Sequence, residues 1–501
     1  MAPVSRVVVV GAGVGGLAAA VRLAAAGHEV TVHERAATVG GKLGRYERDG
    51  FRFDTGPSLL TLPQVFADLG TALDPVPLDP VVRHVFPDGS VLDSSADPEV
   101  FRERIAGAFG AAAAADWARF WRRAERIWRA SWGSVLQREV SPATLARLSW
   151  RVGDLAAIAP GRSLRALGRR HLRDPRLRMM LDRYATYTGT DPRRAPAALA
   201  AIPYAELAFG GWYLPGGLGV LASSLRRRCA ALGVTVRTSS AVTAIRTSGG
   251  RVTGVEVAPG GEVPADVVVS DVDAATLYRD LLPTPDRLAR LTDRSLAGFV
   301  LLLGVRGETP RLAHHTVFFP RDYDAEFDAV FGDPGRGRRA RPPSDPAVFV
   351  TRAADPAVHP PGMEAWFVLV NAPRHGTDAG AVDWRRPGLA DDYGTHILNV
   401  LAARGLDVRD RLEFRETRTP ADLADATAAP GGAIYGTAGG LLRPANRGPV
   451  EGLFLVGGSA HPGGGLPMVT LSAKIVADRI GRADPARARV TGRSQAGRLR
   501  R

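Results

Sequence analysis

The chain has 501 residues, of which 45% are hydrophobic and 23% charged, a composition that indicates a globular protein with two interleaved domains and a large core. Its net charge of +14 is not accompanied by a basic face interleaved with exposed aromatic residues, so the sequence predicts no nucleic-acid partner. The single cysteine, Cys229, argues against an intramolecular disulfide. The longest apolar runs have about ten residues, against the ~20 needed to span a bilayer, so no transmembrane segment is predicted. The first predicted strand begins within a few residues of the N-terminus, which argues against a secretory signal.

The stretch from Arg6 to Glu34 is predicted to form one βαβ unit. Arg6 to Val10 is apolar and β-branched, which is typical of a strand buried on both faces. An alanine-rich helix then ends at Gly27, and Glu29 to His33 alternates like a second strand. Between the first strand and the helix lies a GxGxxG loop, whose glycines would allow a tight turn, a close approach of backbone to a pyrophosphate and close helix packing: Gly11, Gly13, Gly15 and Gly16.

Glu34 closes the second strand, twenty-three residues after Gly11. At about this spacing the dinucleotide-binding fingerprint has an acid that accepts hydrogen bonds from a ribose. The same carboxylate would repel a 2′-phosphate. Because strand, loop, helix and acid are in register, the sequence predicts a dinucleotide site rather than an ordinary strand-to-helix turn.

A basic residue follows two glycines shortly after this unit, in Gly40-Gly41-Lys42. Such a residue can reach phosphate or ribityl oxygens with little steric cost, and the extension is unusual for a simple NAD dehydrogenase. The next stretch, from Gly44 to Thr61, is predicted to contain a β-hairpin around Asp49-Gly50 and then a glycine-proline turn.

The segments GGK and DGFRFDTGP resemble the N-terminal signature of bacterial phytoene desaturases and related carotenoid-modifying flavoproteins. Further segments are similar to internal landmarks of that family: Tyr184 to Gly189 with Asp191-Pro192, Gly211 to Gly217, His314 to Phe319, and, most specific, Leu453 to Lys474. The resemblance covers about Arg6 to Ile480 and implies FAD as the cofactor. It also implies further FAD contacts: Arg35, Gly41, Lys42, Gly56, and the backbone of Val242 against the adenine.

The C-terminal landmark can also be interpreted physically. Leu453 to Val456 has the pattern of a buried strand, two glycines form a turn, and a helix is predicted from Pro467 to about Ile480. Backbone N–H groups at the start of that helix, with the positive end of its dipole, would stabilise negative charge on the pyrimidine end of a reduced flavin. Four residues therefore join the predicted FAD site: Gly458, Pro467, Met468 and Val469.

Flavin amine oxidases usually carry an acid after the glycine of this C-terminal strand, whereas the chain reads Gly458-Ser459-Ala460-His461. The carotenoid branch tolerates that change, which favours this branch. His461 precedes a turn beside the expected flavin, and packing of the loop is favoured over catalysis. His314 and His315 are expected on opposite faces of a strand, so no metal site is predicted. No catalytic residue is assigned, because no paired carboxylates or Ser-His-Asp arrangement stands out.

Segments that resemble flavin-binding regions recur at the start, middle and end of the chain, so the FAD domain must be discontinuous. The predicted fold is α/β: a Rossmann-like FAD-binding domain over 1–85, 205–290 and 440–481, with an inserted mixed α/β substrate domain over 86–204 and 291–439. The middle FAD segment is predicted to contain a helix over Gly219 to Leu232 and strands over Val234 to Arg237, Arg251 to Val257 and Asp266 to Ser270. Residues 482–501, with seven arginines and one aspartate, are predicted to be a disordered basic tail.

The block Arg151 to Arg183 combines nine arginines and three aspartates with Leu, Ile, Ala and Met. Such a segment can lie on anionic lipid with its apolar face down. A solvated helical face is the simpler interpretation, but a C40 substrate dissolved in lipid reverses that preference. The sequence therefore predicts a cytoplasmic protein that associates peripherally with the membrane surface.

Taken with the resemblance, these patterns predict an FAD-dependent desaturase of phytoene or a related carotenoid, a long apolar polyene. Hydride would pass from a substrate C–H to flavin N5, and quinone or oxygen would reoxidise the flavin. The alternatives are a carotenoid isomerase, saturase or oxygenase of the same branch, a flavin amine oxidase, and a non-catalytic prenyl-binding carrier of the GDP-dissociation-inhibitor type. The complete glycine fingerprint with Glu34 argues against the carrier.

Overall fold

The valine-rich strand near the N-terminus is the central strand of a five-stranded parallel sheet. The computed structural model describes residues 2–139, 153–154, 158, 161–438 and 443–484. Within them the sheet has the spatial order Thr235–Arg237, Glu29–His33, Arg6–Val10, Val267–Ser270 and Leu453–Leu455. Strands from the start, middle and end of the chain thus lie side by side, as the discontinuous Rossmann-like prediction requires.

The two faces of this sheet are both buried. Val7 and Val9 contact one core with the helices Val14–Ala25, Gly219–Ala231 and Leu466–Ile480. Val8 and Val10 contact a second core, under a three-stranded antiparallel sheet: Ala241–Ser248, Arg251–Ala258 and Glu262–Pro264. Burial on both faces explains why this strand has no polar alternation.

The predicted elements of this region are confirmed to within a residue or so at each end. The hairpin joins Arg45–Arg48 to Phe51–Asp54, and both turn residues, Asp49 and Gly50, have positive φ angles of 49° and 81°. That is the pattern of a type I′ turn, which asparagine or aspartate followed by glycine favours.

A seven-stranded sheet packs against the hairpin. Its order is Leu412–Arg418, Ala297–Arg306, Met363–Ala372, Val348–Arg352, His315–Phe318, Arg83–Val85 and Val91–Asp93. All neighbours are antiparallel except His315–Phe318 and Arg83–Val85. One face packs on the helix Leu389–Ala403, and the other meets the hairpin phenylalanines Phe51 and Phe53.

A helical layer completes the second half of the molecule. Its helices are Pro98–Phe109, Ala111–Ser131, Leu164–His171, Pro175–Arg183 and Ala201–Phe209. Asp97 caps the first of them by accepting hydrogen bonds from the Glu99 and Val100 N–H groups, and a proline follows it at the first helical position. The layer buries a large core that includes Trp117, Phe120 and residues of the seven-stranded sheet.

Shorter elements connect these layers: helices Tyr323–Phe331 and Pro420–Thr427, and a small sheet of Leu60–Thr61, Gly211–Tyr213 and Val76–Pro77. Cys229 is fully buried. In the described ranges, no helix combines the length and the apolar character that a bilayer span requires.

Several sequence-based boundaries stay predictions. The strand Arg83–Val85 belongs to the seven-stranded sheet, at the point where the predicted chain passes from one domain to the other. The basic tail beyond residue 484, residues 440–442, and much of 151–160 in the basic block lie outside the described residues.

Candidate functional site

The candidate site lies at the edge of the parallel sheet where its strands end. The glycine loop Gly11–Gly16, Glu34, Asp271 and Gly457 each follow one of four adjacent strands. In open α/β sheets, ligands bind in the crevice beyond the carboxyl ends of the strands. The topology therefore brings three distant parts of the chain to one binding edge.

The glycine loop is packed too closely to carry side chains. A Cβ atom on Gly16 would lie under 3.0 Å from the Gly11 carbonyl oxygen, and one on Gly13 or Gly15 would be as close to the Asp271 carboxylate. The loop therefore presents backbone rather than side chains at this edge, which is what a close approach to pyrophosphate requires.

Glu34 is buried beside this loop, with 9% of its surface exposed. Its Oε2 accepts a hydrogen bond from the Ala12 N–H at 2.7 Å, and its Oε1 accepts one from the Ala36 N–H at 2.7 Å. A carboxylate has about four lone-pair positions, so acceptor capacity remains for a ribose. The contact of Glu34 with the ribose stays a prediction. Its hydrogen bond from the Ala12 N–H also stabilises the glycine loop.

Asp271 was missed by the sequence analysis. Its carboxylate lies against the glycines of the loop and accepts a hydrogen bond from the Gly16 N–H. Burial, with a smaller contribution from the charge of Glu34, raises the pKa of Asp271 to about 7, although the hydrogen bond from Gly16 and the charge of Lys42 act in the opposite direction. The sequence does contain an indication of this role, because Asp271 directly follows the predicted strand Asp266 to Ser270, at the edge where the ligand is expected.

Lys42 connects the N-terminal unit to a distant segment. Its Nζ donates to the carbonyl oxygens of Ala433 at 3.0 Å and Ile434 at 2.5 Å, and burial lowers the pKa of the ammonium. A Cβ on Gly56 would lie under 3.0 Å from the Lys42 carbonyl oxygen, and one on Gly41 would meet Gly13 Cα at 3.3 Å. These contacts hold Lys42 beside the loop, and its contact with phosphate or ribityl oxygens stays a prediction.

Two other predicted FAD contacts lie farther from the loop. The Arg35 guanidinium donates to the Asp425 carbonyl oxygen. Val242 is half-buried in the strand Ala241–Ser248 and packs against the core beneath the parallel sheet. Their contacts with FAD stay predictions.

The C-terminal helix begins at Leu466, with Gly465 as its N-cap and Pro467 in its first turn. The Val469 N–H donates to the Gly465 carbonyl oxygen, which starts the helical ladder. Leu466 and Met468 therefore have first-turn N–H groups that the helix itself does not use, whereas the Val469 N–H is used within the helix. A Cβ on Gly458 would meet Gly464 Cα at 3.6 Å and the Val469 side chain at 3.9 Å, so this turn lies against the helix start.

Comparison with known proteins identifies the family. Residues 14–305, more than half of the chain, match the model of the flavin containing amine oxidoreductases. The chain belongs to this family. Over 95% of its length it is 33% identical to 4,4'-diapolycopene oxygenase of Methylomonas sp and 34% identical to hydroxyneurosporene desaturase of Cereibacter sphaeroides, covering 98% and 97% of those proteins. An oxidoreductase structure from Methanosarcina mazei matches with a TM-score of 0.61 at 18% identity, over 94% of this chain and 100% of that one.

These similarities place this flavin containing amine oxidoreductase in the carotenoid-modifying branch, as the sequence motifs had predicted. They confirm an α/β fold, FAD as the cofactor and an FAD-dependent oxidoreductase activity. The residues of the site fit FAD independently. A side chain at Gly13, Gly15 or Gly16 would fill the space that the loop leaves beside the backbone. Glu34 follows the second strand, and the helix that begins at Leu466 lies near the same edge.

Beside the cofactor edge, this flavin containing amine oxidoreductase has an apolar and aromatic segment that contains Ile434, whose carbonyl oxygen accepts a hydrogen bond from Lys42 Nζ. The Tyr435 ring lies where a Cβ on Gly464 would be, and Leu369 and Ile434 converge on Gly298. Burial raises the pKa of Tyr435 to about 12, so its phenol is protonated at neutral pH and does not act as a base. These side chains present groups that suit contact with a hydrocarbon.

The histidines considered from the sequence have structural contacts. His461 is 1% exposed, and its Nε2 lies 3.0 Å from the Val135 and Arg138 carbonyl oxygens, so it packs the loop as expected. The expected opposite orientation of His314 and His315 is wrong: their rings lie 4.6 Å apart, because the strand begins only at His315. Within the described residues, no His, Cys, Asp and Glu side chains form a metal-binding group.

Proposed function

We propose that this flavoprotein desaturates phytoene or a related carotenoid and passes the electrons from FAD to quinone or oxygen. The observation that supports this most is the segment that adjoins the cofactor edge. Lys42 beside the glycine loop donates to the Ile434 carbonyl oxygen, and the Tyr435 ring lies against Gly464 just before the C-terminal helix, so apolar and aromatic side chains border the edge where FAD is expected. The two relatives named above act on carotenoid-type substrates by name, and the chain covers nearly all of both.

When bound, FAD supplies a hydride acceptor at flavin N5. The N–H of Met468 and the positive end of the helix Leu466–Ile480 would favour negative charge at the pyrimidine end of the bound flavin. Because the substrate carries no charge along its chain, its affinity must come from burial of hydrocarbon, at about 25 cal/mol per Å².

The test is an anaerobic incubation of the FAD-loaded protein with phytoene or a partly desaturated carotenoid in liposomes. We expect the flavin absorbance to bleach while the absorption of a longer polyene appears, and a quinone to restore the flavin. The control substrate is a primary amine, which should leave the flavin oxidised. Rapid bleaching by the amine and none by any polyene would assign the protein to the amine-oxidase activity instead.

A carotenoid oxygenase is the second candidate, because the Methylomonas relative carries that name at 33% identity. The two reactions differ in product mass. Desaturation removes two hydrogen atoms, whereas oxygenation adds oxygen and requires air. Mass spectrometry of the polyene product after aerobic and anaerobic incubation separates them.

We also propose that the protein docks on anionic membranes through the helical layer. Arginines from the helices Ala111–Ser131 and Leu164–His171, and one just before the second helix, lie close enough for their charges to act on one another: Arg123, Arg126, Arg162 and Arg170. Burial, followed by the charges of Arg170, Arg123 and other arginines nearby, lowers the pKa of His171. The docking surface differs from the predicted block, because Arg165 and Arg183 point inward and Arg173 and Arg176 pair with aspartates.

Removing two exposed cations, by Arg126→Gln with Arg170→Gln, should weaken binding to anionic liposomes by roughly tenfold or more, since each surface cation contributes about 1 kcal/mol. Sedimentation at increasing salt concentration measures this, and added salt should weaken binding of the unaltered protein. The control removes the same charge elsewhere, with Arg306→Gln and Arg409→Gln, and should bind normally. Equal sedimentation with neutral and anionic liposomes would refute electrostatic docking.

A further inference from the structure

A cavity of about 690 Å³ opens at the outer edge of the seven-stranded sheet, and we call it the edge cleft. One side is formed by the last two strands of the sheet, Arg83–Val85 and Val91–Asp93. The other side is the end of the helix Leu389–Ala403, which packs on the same face of the sheet. Cavities of roughly 300–1,000 Å³ are the ones that hold small-molecule ligands in proteins.

The floor of the edge cleft is apolar. The strand register pairs Val85 with both Phe318 and Val91, and paired residues of neighbouring strands point to the same face of a sheet. Leu406, just beyond the helix, lines the cleft from the other side. Val91 is 45% exposed, one of the few large hydrophobic side chains at the described surface. Contact with an apolar chain would remove this surface from water, which favours binding.

The rim of the edge cleft is positively charged. Among its lining residues are four arginines and one aspartate: Arg83, Arg311, Arg321, Arg404 and Asp345. Asp93 binds Arg83 through two hydrogen bonds of 2.8 Å, and Asp345 binds Arg404 at 2.5 Å. Within the described residues, neither Arg311 nor Arg321 forms a side-chain ion pair with an acid. The rim therefore carries an excess of two positive charges.

The two unpaired arginines have hydrogen-bond donors to spare. Arg311 Nη1 donates to the Gly405 carbonyl oxygen at 2.7 Å, the one bond of this side chain within the described ranges. Arg321 is exposed, and its backbone N–H rather than its side chain donates to Asp345, at 2.9 Å. A guanidinium has five N–H donors, so most donors of both side chains are available to a ligand. Carboxylate and phosphate groups match this planar set of donors.

The adjacent helix end does not expose free carbonyl oxygens that would repel an anion. The N–H groups of Arg404, Gly405 and Leu406 donate back to carbonyl oxygens of the last helical turn. The Gly405 carbonyl oxygen is itself bound by Arg311. The helix thus ends with its acceptors satisfied, as helix C-termini commonly do.

We propose that the edge cleft binds a single-chain amphiphile whose head group is an anion, either a carboxylate or a phosphate monoester. The head group contacts Arg311 and Arg321, and the apolar chain lies over Val85, Val91 and Phe318. A neutral hydrocarbon would leave the arginine donors unused, and a bare anion would leave the apolar floor in water. The proposal does not depend on the proposed function, because these residues lie outside the cofactor edge.

The test titrates the FAD-loaded protein with octyl phosphate, at concentrations too low for micelles, and measures binding by calorimetry. We expect one site per chain. Octyl glucoside keeps the alkyl chain but has a neutral head group, and inorganic phosphate keeps the anion without the chain. Each should bind at least about tenfold more weakly than octyl phosphate, because each lacks one of the two features that the cleft recognises.

Two substitutions at exposed positions test the two halves of the edge cleft. Arg321→Gln removes a cation, and Val91→Glu places a carboxylate on the apolar floor; each should weaken binding of octyl phosphate about fivefold or more. The matched controls are Arg290→Gln, an exposed arginine whose side chain also has no polar partner among the described residues, and Val76→Glu, a valine that is 46% exposed on another short strand. Both controls should bind octyl phosphate like the unaltered protein.

Phosphatidylcholine liposomes with and without lysophosphatidic acid distinguish two sources of such an amphiphile. If Arg321→Gln weakens the preference for the anionic liposomes and Arg290→Gln does not, the cleft takes its ligand from a bilayer; if neither does, the ligand is a free amphiphile. The proposal would be overturned if octyl phosphate bound no more tightly than octyl glucoside or inorganic phosphate. Unchanged binding of octyl phosphate to both Arg321→Gln and Val91→Glu would also overturn it.

Discussion

Replacing Gly16 with alanine should abolish FAD binding. The added Cβ would lie under 3.0 Å from the Gly11 carbonyl oxygen and 3.1 Å from Asp271 Cβ. Neither neighbour is the end of a flexible side chain, so the strand-to-helix turn would have to open. The loop could then no longer bring its backbone to the pyrophosphate, and we expect affinity for FAD to fall by at least about a hundredfold, or ~3 kcal/mol.

Flavin absorbance of the purified variant, and fluorescence titration of the apoprotein with FAD, measure this loss. Gly107→Ala is the matched control, because Gly107 lies inside the helix Pro98–Phe109 and a Cβ there would meet nothing within 4 Å. It should retain FAD and gain about 0.5–1 kcal/mol of stability. If Gly16→Ala kept FAD as tightly as the unaltered protein, the proposed role of the loop would be wrong.

Asp271→Asn should stabilise the apoprotein at pH 8 and make FAD binding nearly independent of pH. Burial raises the pKa of Asp271 to about 7, above the value of about 3.9 for an unfolded chain. The fold therefore favours the protonated carboxyl. Ionisation of Asp271 therefore lowers the free energy of unfolding. This destabilisation is absent below about pH 4, increases as the pH rises to about 7, and stays constant above that. A tenfold change in an ionisation equilibrium corresponds to about 1.4 kcal/mol, and the partial exposure of Asp271 to solvent reduces the expected gain at pH 8 to roughly 2 kcal/mol.

The ionised carboxylate of Asp271 should also repel the phosphates of FAD. Glu34 faces the site with a second carboxylate, and Lys42 provides the nearby cation. In the unaltered protein, affinity for FAD should fall by up to about tenfold for each increase of one in pH above about pH 7, because binding then requires uptake of a proton. The asparagine variant lacks that proton exchange. FAD titrations between about pH 6 and pH 9 measure both slopes.

Asp116→Asn provides a control of opposite sign. Arg173 lowers the pKa of the Asp116 carboxyl through hydrogen bonds and charge. Its ionised form therefore stabilises the fold at neutral pH, and that contribution disappears only as the pH falls through the lowered pKa. We expect Asp116→Asn to be less stable than the unaltered protein at pH 8. Parallel pH profiles for Asp271→Asn and the unaltered protein would refute the account of Asp271.

The parts of this site that sequence predicted are those encoded by local pattern. The strand Arg6–Val10, the glycine loop and Glu34 lie within thirty residues, and each has a recognisable periodicity or spacing. The C-terminal helix could likewise be placed from Pro467 and the glycines before it. The fold class followed because such segments recur along the chain.

The residues that sequence analysis missed depend on contacts between distant segments. Asp271 directly follows a predicted strand, but the sheet order that brings it against the glycine loop is not encoded in the local pattern. Arg183 was counted with a basic surface block because its neighbours include many exposed arginines. In the structure, the helix that ends at Arg183 turns it toward Tyr187 and Phe349. Periodicity cannot separate these cases, since it does not report which layer covers a helix.

The position of Leu453–Leu455 at the edge of the parallel sheet also bears on synthesis of the protein. A ribosome adding ~5–20 residues per second needs roughly 20 to 90 s to reach this strand. Until then the strand Val267–Ser270 has no neighbour on that side, and the helix Val14–Ala25 lacks the cover of Leu466–Ile480. Nascent chains therefore expose a strand edge and apolar surface for most of translation, which favours aggregation until the last helix docks. The cofactor edge gains Gly457 and the start of the helix Leu466–Ile480 only at that late stage.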